Sequence, residues 1–235
     1  MPTRPQVEAL RRATGQIAGA ARGDLQRFAA VLDPSRPDVA RDALLEYVPA
    51  LSDTYGALAA DVAAEWWDDV YRAEVGGRRR ALPAPTVPHE ALERTIRWAV
   101  GGLYGENLAT LALLLQALDK WVKQPARDTV ATSTARSGGW WARVPTGAET
   151  CAFCLMLASR GFDYSSEAAA GGGGDEHKFH ADCDCQVVPT WDKGARLDGY
   201  DPDALYEKYA RAAAHADSQS TSDILAALRE QEGVR

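Results

Sequence analysis

The first half of the chain carries apolar residues at the three- and four-residue spacing of amphipathic helices. Residues 7–32 are rich in Ala, Leu, Arg and Gln, and this run stops at Asp33 and Pro34. A second run reaches about residue 75. Its predicted buried face consists of Leu44, Val48, Leu51, Tyr55, Leu58 and Val62. Both runs are therefore predicted to be long helices that each bury one stripe.

Prolines mark the ends and one interior position of this helical pattern. Ser35 is a candidate N-cap for the second helix, with Pro37 in its first turn and Asp38 three residues after the cap. Pro49 lies inside the pattern, and we expect it to kink the helix or to split it in two. Residues 81–88 contain several prolines and are predicted to form a connector that cannot be helical.

A third helical block is predicted over residues 90–123, with glycines that interrupt its first half and many leucines in its second half. After Pro125 the sequence becomes polar, and residues 127–139 are predicted to be a connection between two parts of the chain. The sequence therefore predicts a helical domain over residues 1–125.

Shorter patterns follow and indicate a small α/β module over residues 126–192. Residues 140–144 alternate aromatic and β-branched side chains, which is typical of a strand, and residues 185–188 are predicted to be a second strand. A short helix is expected at residues 152–159, and a tail with two helices at residues 193–235. The predicted class is thus α+β, mostly α.

All four cysteines lie within 35 residues, in one constellation with a histidine. They form the motifs Cys151-Ala-Phe-Cys154 and His180-Ala-Asp-Cys183-Asp-Cys185. Two thiols with CxxC spacing can bind one metal ion from a tight turn, and a second cluster can complete a tetrahedron around it. A module this small also needs an additional source of stability. The pattern predicts a structural zinc site that holds about one ion.

Five donors are available for four ligand positions, so the sequence does not decide which four of them bind the metal. We favour Cys151, Cys154 and His180, with the fourth position open between Cys183 and Cys185. If residues 183–185 form a strand, both thiols point to the same face, whereas a tighter turn pairs His180 with Cys183.

Two disulfides, a redox pair or unliganded core thiols are the alternatives to a metal site. Disulfides are disfavoured because the N-terminus has no apolar signal segment, which predicts a reducing cytosol. A redox pair is disfavoured because no strand–helix–strand alternation surrounds Cys151, and such a pair does not need His180 or Cys185.

Composition narrows the classes of function further. The chain has 235 residues, 46% hydrophobic, with a net charge of −7, which is ordinary for a soluble domain. No stretch approaches the ~20 apolar residues of a membrane span, so no membrane contact is expected. The acidic balance disfavours a dedicated nucleic-acid binder. The arginines available for a DNA contact are Arg11, Arg12, Arg22, Arg27 and residues 78–80.

Seven tryptophans are many for a chain of this length, and two of them, Trp66 and Trp67, are adjacent. Aromatic side chains often anchor protein interfaces. Together with the apolar run at residues 108–118, this pair offers more surface than one helical bundle would cover. We therefore predict that Trp66 and Trp67 bind a partner protein.

Two segments of the cysteine region resemble a known family. Residues 143–161, with CxxC, and residues 179–189, with HxxCxC, are similar to the minor head proteins of tailed phages and prophages related to phage Mu protein F, in the form common in phages of actinobacteria. In that family a helical N-terminal half precedes the cysteine region. The resemblance extends over nearly the whole chain and includes residues 32–37, 65–67, 124–130 and 200–206.

The resemblance implies a role in capsid morphogenesis without catalysis. Members of that family bind the portal protein, are packaged in few copies inside the head and are linked to DNA delivery. The implied partners are the portal protein, the major capsid protein and phage DNA. The implied location is the inside of the virion head, with the host cytoplasm during assembly.

Some members of that family are labelled capsid maturation proteases. The sequence shows no nucleophile elbow and no Ser–His pair that its spacing would reveal. For this reason an enzyme, either a head maturation protease or a nuclease, is the second hypothesis and not the first. The third hypothesis is an internal virion protein that associates with DNA.

Overall fold

The computed structural model describes residues 1–33, 35–104, 110–147, 150–164, 179 and 183–234. Within these residues the chain forms seven α-helices and two strands, which confirms the predicted α+β, mostly α class. The elements are α1 (Arg4–Ala29), α2 (Pro37–Glu74), α3 (His89–Val100), α4 (Thr110–Arg136), β1 (Trp140–Val144), α5 (Ala152–Ala158), β2 (Gln186–Thr190), α6 (Pro202–His215) and α7 (Thr221–Glu232). A 3₁₀ turn, Gly101–Tyr104, follows α3.

Helices α1, α2 and α4 pack against one another and form the main hydrophobic core. Much of the buried face of α2 consists of alanines, which allow neighbouring helices to approach closely. Gly56 shows how close they come, because a Cβ atom at this position would lie 3.4 Å from Cγ of Pro125 on α4. The tightest contact of such a Cβ atom would be with Cγ2 of Thr86, at 3.3 Å, so substitution would require Thr86 to shift by a few tenths of an ångström.

Helix α2 is one continuous element through Pro49, so the predicted division into two helices is wrong. The predicted N-cap is also wrong, because Arg36 occupies that position and Pro37 begins the helix. The Ser35 hydroxyl instead donates to Oδ1 of Asp33 at 2.7 Å, within the turn that precedes the helix.

The buried stripe of α2 differs from the predicted one at Leu58. Leu44, Val48 and Leu51 are buried as expected, but Leu58 is 48% exposed. Further along the helix the stripe rotates towards small residues such as Ala59, because these residues allow α4 to pack closely. A prediction based on large apolar residues alone could not follow this rotation.

Helix α4 continues through Pro125, so the prediction that residues 127–139 form a polar connection is wrong. The hydroxyls of Thr129 and Thr134 each donate to the carbonyl four residues earlier, at 2.7 Å. These bonds satisfy the polar side chains inside a buried helix. Helix α4 therefore crosses residue 125, where the sequence predicted the boundary between the helical domain and the module.

Strands β1 and β2 form a two-stranded antiparallel sheet in which Trp140 lies opposite Thr190. The predicted strand at residues 140–144 is confirmed, and the second strand begins one residue later than predicted. On the other edge of β1, Trp141 and Tyr164 form two backbone hydrogen bonds, and their rings stack with centroids 4.5 Å apart. The sheet thus gains a short third pairing partner.

An aromatic cluster connects this sheet to the helices. Trp191, just after β2, packs edge-on against Trp67 and Tyr71 of α2, with ring centroids 5.7 and 5.1 Å apart. The Nε1 atom of Trp191 donates to the Ser137 hydroxyl at 2.9 Å. The cysteine region is therefore attached to the helices by packed rings as well as by helix α4.

Helices α6 and α7 pack against each other and against α5. Side chains of Asp201 and Ser220 cap their N-termini, as is typical for these residue types. The two helices predicted in the tail are therefore confirmed. Among the described residues, no helix is long and apolar enough to cross a membrane.

Candidate metal centre

Three cysteine sulfurs converge in the interior of the cysteine region. The Sγ atoms of Cys154, Cys183 and Cys185 all lie within 4.8 Å of one another, and those of Cys154 and Cys183 are 3.3 Å apart. A zinc ion bound at about 2.3 Å by tetrahedral thiolates separates its sulfurs by about 3.8 Å. One separation is about 0.5 Å shorter than this value and none exceeds it by more than about 1.0 Å, so small shifts would let the three sulfurs bind one metal ion.

Cys151 lies directly beside these three thiols. It is the N-cap of α5, and its Sγ accepts a hydrogen bond from the backbone N–H of Cys154 at 3.3 Å. Its thiol also interacts with the thiol of Cys154, and its side chain is buried. The CxxC spacing thus places both sulfurs at the start of one helix, as the sequence predicted for a metal-binding turn.

The structure brings together three of the five predicted donors, Cys154, Cys183 and Cys185, and places Cys151 in contact with Cys154. His180 lies outside the described residues. All four cysteines are free thiols. The sequence left the fourth ligand position open between Cys183 and Cys185, and the structure places both sulfurs in the cluster.

Asp184 holds the loop that carries Cys183 and Cys185. Its carboxylate accepts hydrogen bonds from the backbone N–H of Gly147 at 3.0 Å and from the Thr150 hydroxyl at 2.9 Å. Burial raises the pKa of Asp184 despite these bonds. The loop that precedes α5 and the loop that precedes β2 are thereby fastened to each other beside the sulfurs.

Two tyrosines fasten α5 from its other end. The Tyr164 hydroxyl donates to the Leu157 carbonyl at 3.1 Å, and the Tyr200 hydroxyl donates to the Ala158 carbonyl at 2.6 Å. Carbonyls at a helix C-terminus have no partner within the helix, so these bonds satisfy them and fix the position of α5.

Two buried arginines flank the thiol cluster, Arg127 from α4 and Arg143 from β1, with 4% and 1% of their surfaces exposed. Arg127 donates from Nη2 to the Cys183 carbonyl at 2.7 Å, and Arg143 donates from Nη2 to the Cys183 sulfur at 3.6 Å. Both guanidinium groups also lie over the ring of Phe179, at 4.1 and 3.8 Å from its centroid. The cluster therefore faces two positive charges.

The thiols and arginines influence one another's protonation. Hydrogen bonds from Cys154 and Cys185 lower the pKa of Cys183, and the nearby arginines lower it further. Burial acts to lower the pKa of Arg143, but the charges of Cys185 and Cys183 outweigh burial and raise it. The surroundings thus favour negative charge on Cys183, whereas hydrogen bonds with the neighbouring thiols, together with burial, raise the pKa of Cys154. The hydrogen bond with Cys154 acts to lower the pKa of Cys185, but the hydrogen bond with Cys183 and burial outweigh it and raise that pKa. Cys183 is therefore the thiol that most readily takes the thiolate form that binds metals.

Arg127, Arg143 and Phe179 were not assigned to the site by sequence analysis. The signal that could have revealed Arg143 is its place in a strand of apolar and aromatic residues, where a charged side chain needs a specific partner. Arg127 gave no such signal, because its segment was interpreted as a polar connection.

The two tryptophans predicted to bind a partner lie in different surroundings. Trp67 is fully buried, and its Nε1 donates to the Thr134 hydroxyl at 2.9 Å, so the prediction that it contacts a partner is wrong. Trp66 is half-buried and donates from Nε1 to the Gln6 carbonyl at 3.1 Å. The described leucines of the run 108–118 belong to the main core or pack against it.

Several arginines named for a DNA contact form ion pairs within the protein. Arg11 and Arg27 each pair with the acidic residue three positions earlier on α1, and Arg80 pairs with Asp68 at 3.2 Å. These contacts offset part of the positive charge that DNA would meet. A DNA contact through this set stays a prediction.

Comparison with known proteins relates the chain to phage proteins. The model of the family described as VG15 protein matches residues 1–212. The Gene 15 protein of Mycobacterium phage L5 is 44% identical in an alignment that covers 22% of this chain and 29% of that protein. For the Gene 15 protein of Mycobacterium phage D29 the values are 43%, 22% and 28%. The chain thus spans under a third of the length of these relatives, and no solved structure matches it.

Proposed function

The chain belongs to the VG15 protein family, and we propose that it is a phage virion or morphogenesis protein that acts without catalysis. In finer detail, it is a minor head protein of the type related to phage Mu protein F. It binds the portal protein or the inner face of the major capsid shell during assembly in the host cytoplasm, and it then resides inside the head. The phage origin of its relatives supports this role, as does the resemblance of its CxxC and HxxCxC motifs.

The observation that carries the proposal of a non-catalytic role is the buried thiol cluster. Three cysteine sulfurs converge in the interior and Cys151, also buried, contacts Cys154, so four thiolates are at hand to fill the tetrahedral coordination of a zinc ion. A catalytic zinc keeps one position open for water or substrate. A site of this composition instead stabilises the fold, because bound zinc connects α5 to the loop before β2.

Zinc is the metal that suits this donor set. Thiolates are soft ligands that favour zinc, copper(I) or iron–sulfur clusters, and zinc alone of these takes no part in redox chemistry. Zinc binding should stabilise the folded module, because metal binding and folding are coupled in small metal-stabilised domains.

Trp98 is the tryptophan best placed to contact the portal protein. All seven tryptophans are described, and Trp98 on α3 is the only one with more than half of its surface exposed, at 68%. Exposed tryptophans tend to anchor interfaces. The proposal therefore moves the main contact from Trp67 to Trp98, with the half-buried Trp66 as a second contact.

Co-expression with the portal protein of the same phage, followed by affinity capture, tests this docking. Trp98→Ala should weaken capture at least tenfold and leave the thermal unfolding temperature nearly unchanged. Tyr206→Ala is the matched control, because Tyr206 is an aromatic residue 58% exposed on α6. If Trp98→Ala is captured as well as the parent protein, the portal contact lies on another surface.

Quantitative mass spectrometry of virions distinguishes the alternative functions. A structural minor head protein should be present as an intact chain in few copies per particle. If deletion of the gene leaves the shell protein unprocessed, the head maturation protease is the better assignment. Nuclease activity with added divalent metal, or salt-sensitive DNA binding by the purified chain, would favour the nuclease or the DNA-associated protein.

A further inference from the structure

The thiol cluster and the two arginines beside it form a single buried charge system. The four thiols and Phe179 belong to one packed core cluster. The guanidinium groups of Arg127 and Arg143 lie over the Phe179 ring, and both contact Cys183. Charges this deep in a protein require nearby charges of opposite sign.

The possible ligand sets of a zinc ion differ in charge. Zn²⁺ with four thiolates carries a net charge of −2, whereas Zn²⁺ with three thiolates and a neutral histidine carries −1. Arginine stays protonated in proteins, so two guanidinium groups supply a charge of +2. The two buried arginines therefore balance the charge of the four-thiolate site, and they exceed the charge of the histidine-containing site by one. The carboxylate of Asp184 lies near Cys183, but it is partly exposed, so solvent screens its charge.

We propose that the centre binds one Zn²⁺ through Cys151, Cys154, Cys183 and Cys185, and that Arg127 and Arg143 neutralise its double negative charge. His180 is then not a ligand, which departs from the ligand set that the sequence favoured. This inference rests on the structural zinc site of the proposed function and specifies its ligands.

Cys151 is well placed to be the fourth ligand. Its Sγ already accepts a hydrogen bond from the backbone N–H of Cys154, and such bonds stabilise a thiolate more than a neutral thiol. Its sulfur is not among the three that lie closest together, so zinc binding has to bring it closer to the ion.

Phe179 lets two like charges share this space. Cations are attracted to the face of an aromatic ring, and both guanidinium carbons lie within 4.1 Å of the centroid of this ring. The ring itself is buried, with 3% of its surface exposed, so these contacts are made away from solvent. Arg127 and Arg143 thus act on the site as outer partners that orient and stabilise its ligands.

Metal analysis and cobalt substitution test the ligand set. The full-length protein, purified under reducing conditions, should contain about one zinc per chain. Cobalt(II) in place of zinc gives a sulfur-to-metal charge-transfer absorption whose intensity grows with the number of thiolates. We expect His180→Ala to leave zinc content and this absorption unchanged, and Cys151→Ser to reduce the absorption by about a quarter, because one of four thiolates is lost.

The opposite pattern would overturn the ligand set. If His180→Ala loses zinc or changes the cobalt spectrum while Cys151→Ser does not, the site contains three thiolates and the histidine. If the parent protein contains no metal at all, the structural zinc site of the proposed function fails together with this inference. The two failures are therefore distinguishable.

Charge-changing variants test the role of the arginines. Arg143→Met should lower zinc affinity about 10- to 100-fold in competition with a chelator, as removal of outer partners does at other metal sites. Arg143→Lys keeps the charge and should recover most of the loss. Arg12→Met, at an exposed position on α1, is the control for a lost charge elsewhere.

A second measurement separates charge from packing. If Arg143→Met and Arg143→Lys weaken zinc binding equally, the arginine supports packing only and the charge argument is wrong. If Arg143→Met binds zinc as tightly as the parent protein, the argument is also wrong. Circular dichroism of each variant with bound zinc shows whether the variant is folded, so that zinc affinities are compared between folded proteins only.

Discussion

The helical body, α1 to α4, and the cysteine module, residues 140–164 and 183–190, are stabilised by different side chains. The body buries alanine, leucine and valine along helices of up to 38 residues. The module has two strands of five residues and a helix of seven, and its interior contains four thiols and a buried arginine of its own. The body is stabilised by apolar burial along long helices, whereas the module combines a small apolar interior, which includes Val144 and Leu157, with buried thiols and charge.

This difference follows from size. A long helix buries a continuous apolar stripe, and each buried apolar side chain contributes roughly 1.5–3 kcal/mol. A module with so few residues cannot bury enough apolar surface to offset the conformational entropy that folding removes. Its sulfurs and arginines therefore carry stability that the body obtains from packing, and conditions that affect thiols should affect the two regions unequally.

Removal of the metal should produce the largest difference in stability between the helical body and the cysteine module. Cys185→Ser, or treatment with a strong zinc chelator, should abolish most protection against hydrogen exchange at residues 140–144 and 186–190. Structural zinc contributes about 10 kcal/mol or more in small zinc-dependent domains, so a loss of several kcal/mol in the module is expected. Protection in α1 and the first half of α2 should persist.

Hydrogen exchange followed by mass spectrometry, with and without chelator, measures both regions in one experiment. Equal loss of protection in α2 and in the sheet would show that the two regions unfold as one unit. No loss in either region would show that the metal does not stabilise the module.

Trp67 should produce the next largest effect, because it lies where the two regions meet. Trp67→Ala removes a fully buried ring that packs against Trp191, together with a hydrogen bond to Thr134. A loss of about 3–5 kcal/mol in the free energy of unfolding is expected. Trp66→Ala, next to it but half-buried, should cost about 1 kcal/mol. Urea denaturation of the two variants measures the difference, and equal losses would contradict this account.

A glycine-to-alanine substitution in each region should change the stability of the protein by a smaller amount, with opposite signs in the two regions. A Cβ atom on Gly147, in the module, would lie 2.6 Å from Cβ of Asp184, so Gly147→Ala should cost about 1–3 kcal/mol and weaken metal binding. A Cβ atom on Gly19, in α1, would have no neighbour within 4 Å. Gly19→Ala should therefore stabilise the protein by about 0.5–1 kcal/mol. Thermal unfolding of both variants measures these opposite signs.

Much of the body and of the sheet could be predicted from the sequence, because apolar spacing reports directly on buried faces. The strand at residues 140–144 and the helices of the tail followed from such local patterns. The continuation of α4 beyond Pro125 could not be predicted, because its threonines are polar in sequence and their hydroxyls find partners only in the folded protein. Thr129 and Thr134 donate to carbonyls of the same helix and accept from the backbone N–H of Ala84 and from Nε1 of Trp67, respectively. Local composition cannot distinguish such a helix from a connection.

The candidate site was predictable in its cysteines and not in its arginines. The spacing of CxxC and HxxCxC brings sulfurs together almost irrespective of the fold. Arg127 and Arg143 reach the same place from a helix and a strand on either side of a turn, and that meeting depends on tertiary packing. For the same reason the sequence did not show that Trp67 faces the core while Trp66 lies at its edge.

The smallest effect is expected from the polar contacts that hold the proline-rich connector against α2. Asp53 accepts hydrogen bonds from the Thr86 hydroxyl and from His89, each at 2.7 Å. Burial acts to raise the pKa of Asp53, but these two bonds outweigh burial and lower it below its ordinary value. A lowered pKa means that the ionised form stabilises the folded state. This stabilisation is complete above the ordinary pKa of an aspartate and is lost as the pH falls through the lowered value.

Asp53→Asn should therefore reduce the free energy of unfolding by about 0.5 kcal/mol at neutral pH, since the pair is largely exposed and screened by solvent. The variant and the parent protein should become equally stable once the pH has fallen below the lowered pKa of Asp53, where the parent carboxylate is protonated as well. Asp61→Asn, at an exposed position on the same helix, controls for the lost charge. Urea denaturation at several pH values gives the comparison. A difference that persists unchanged in acid would show that the connector is held by the shape of the side chain and not by its charge.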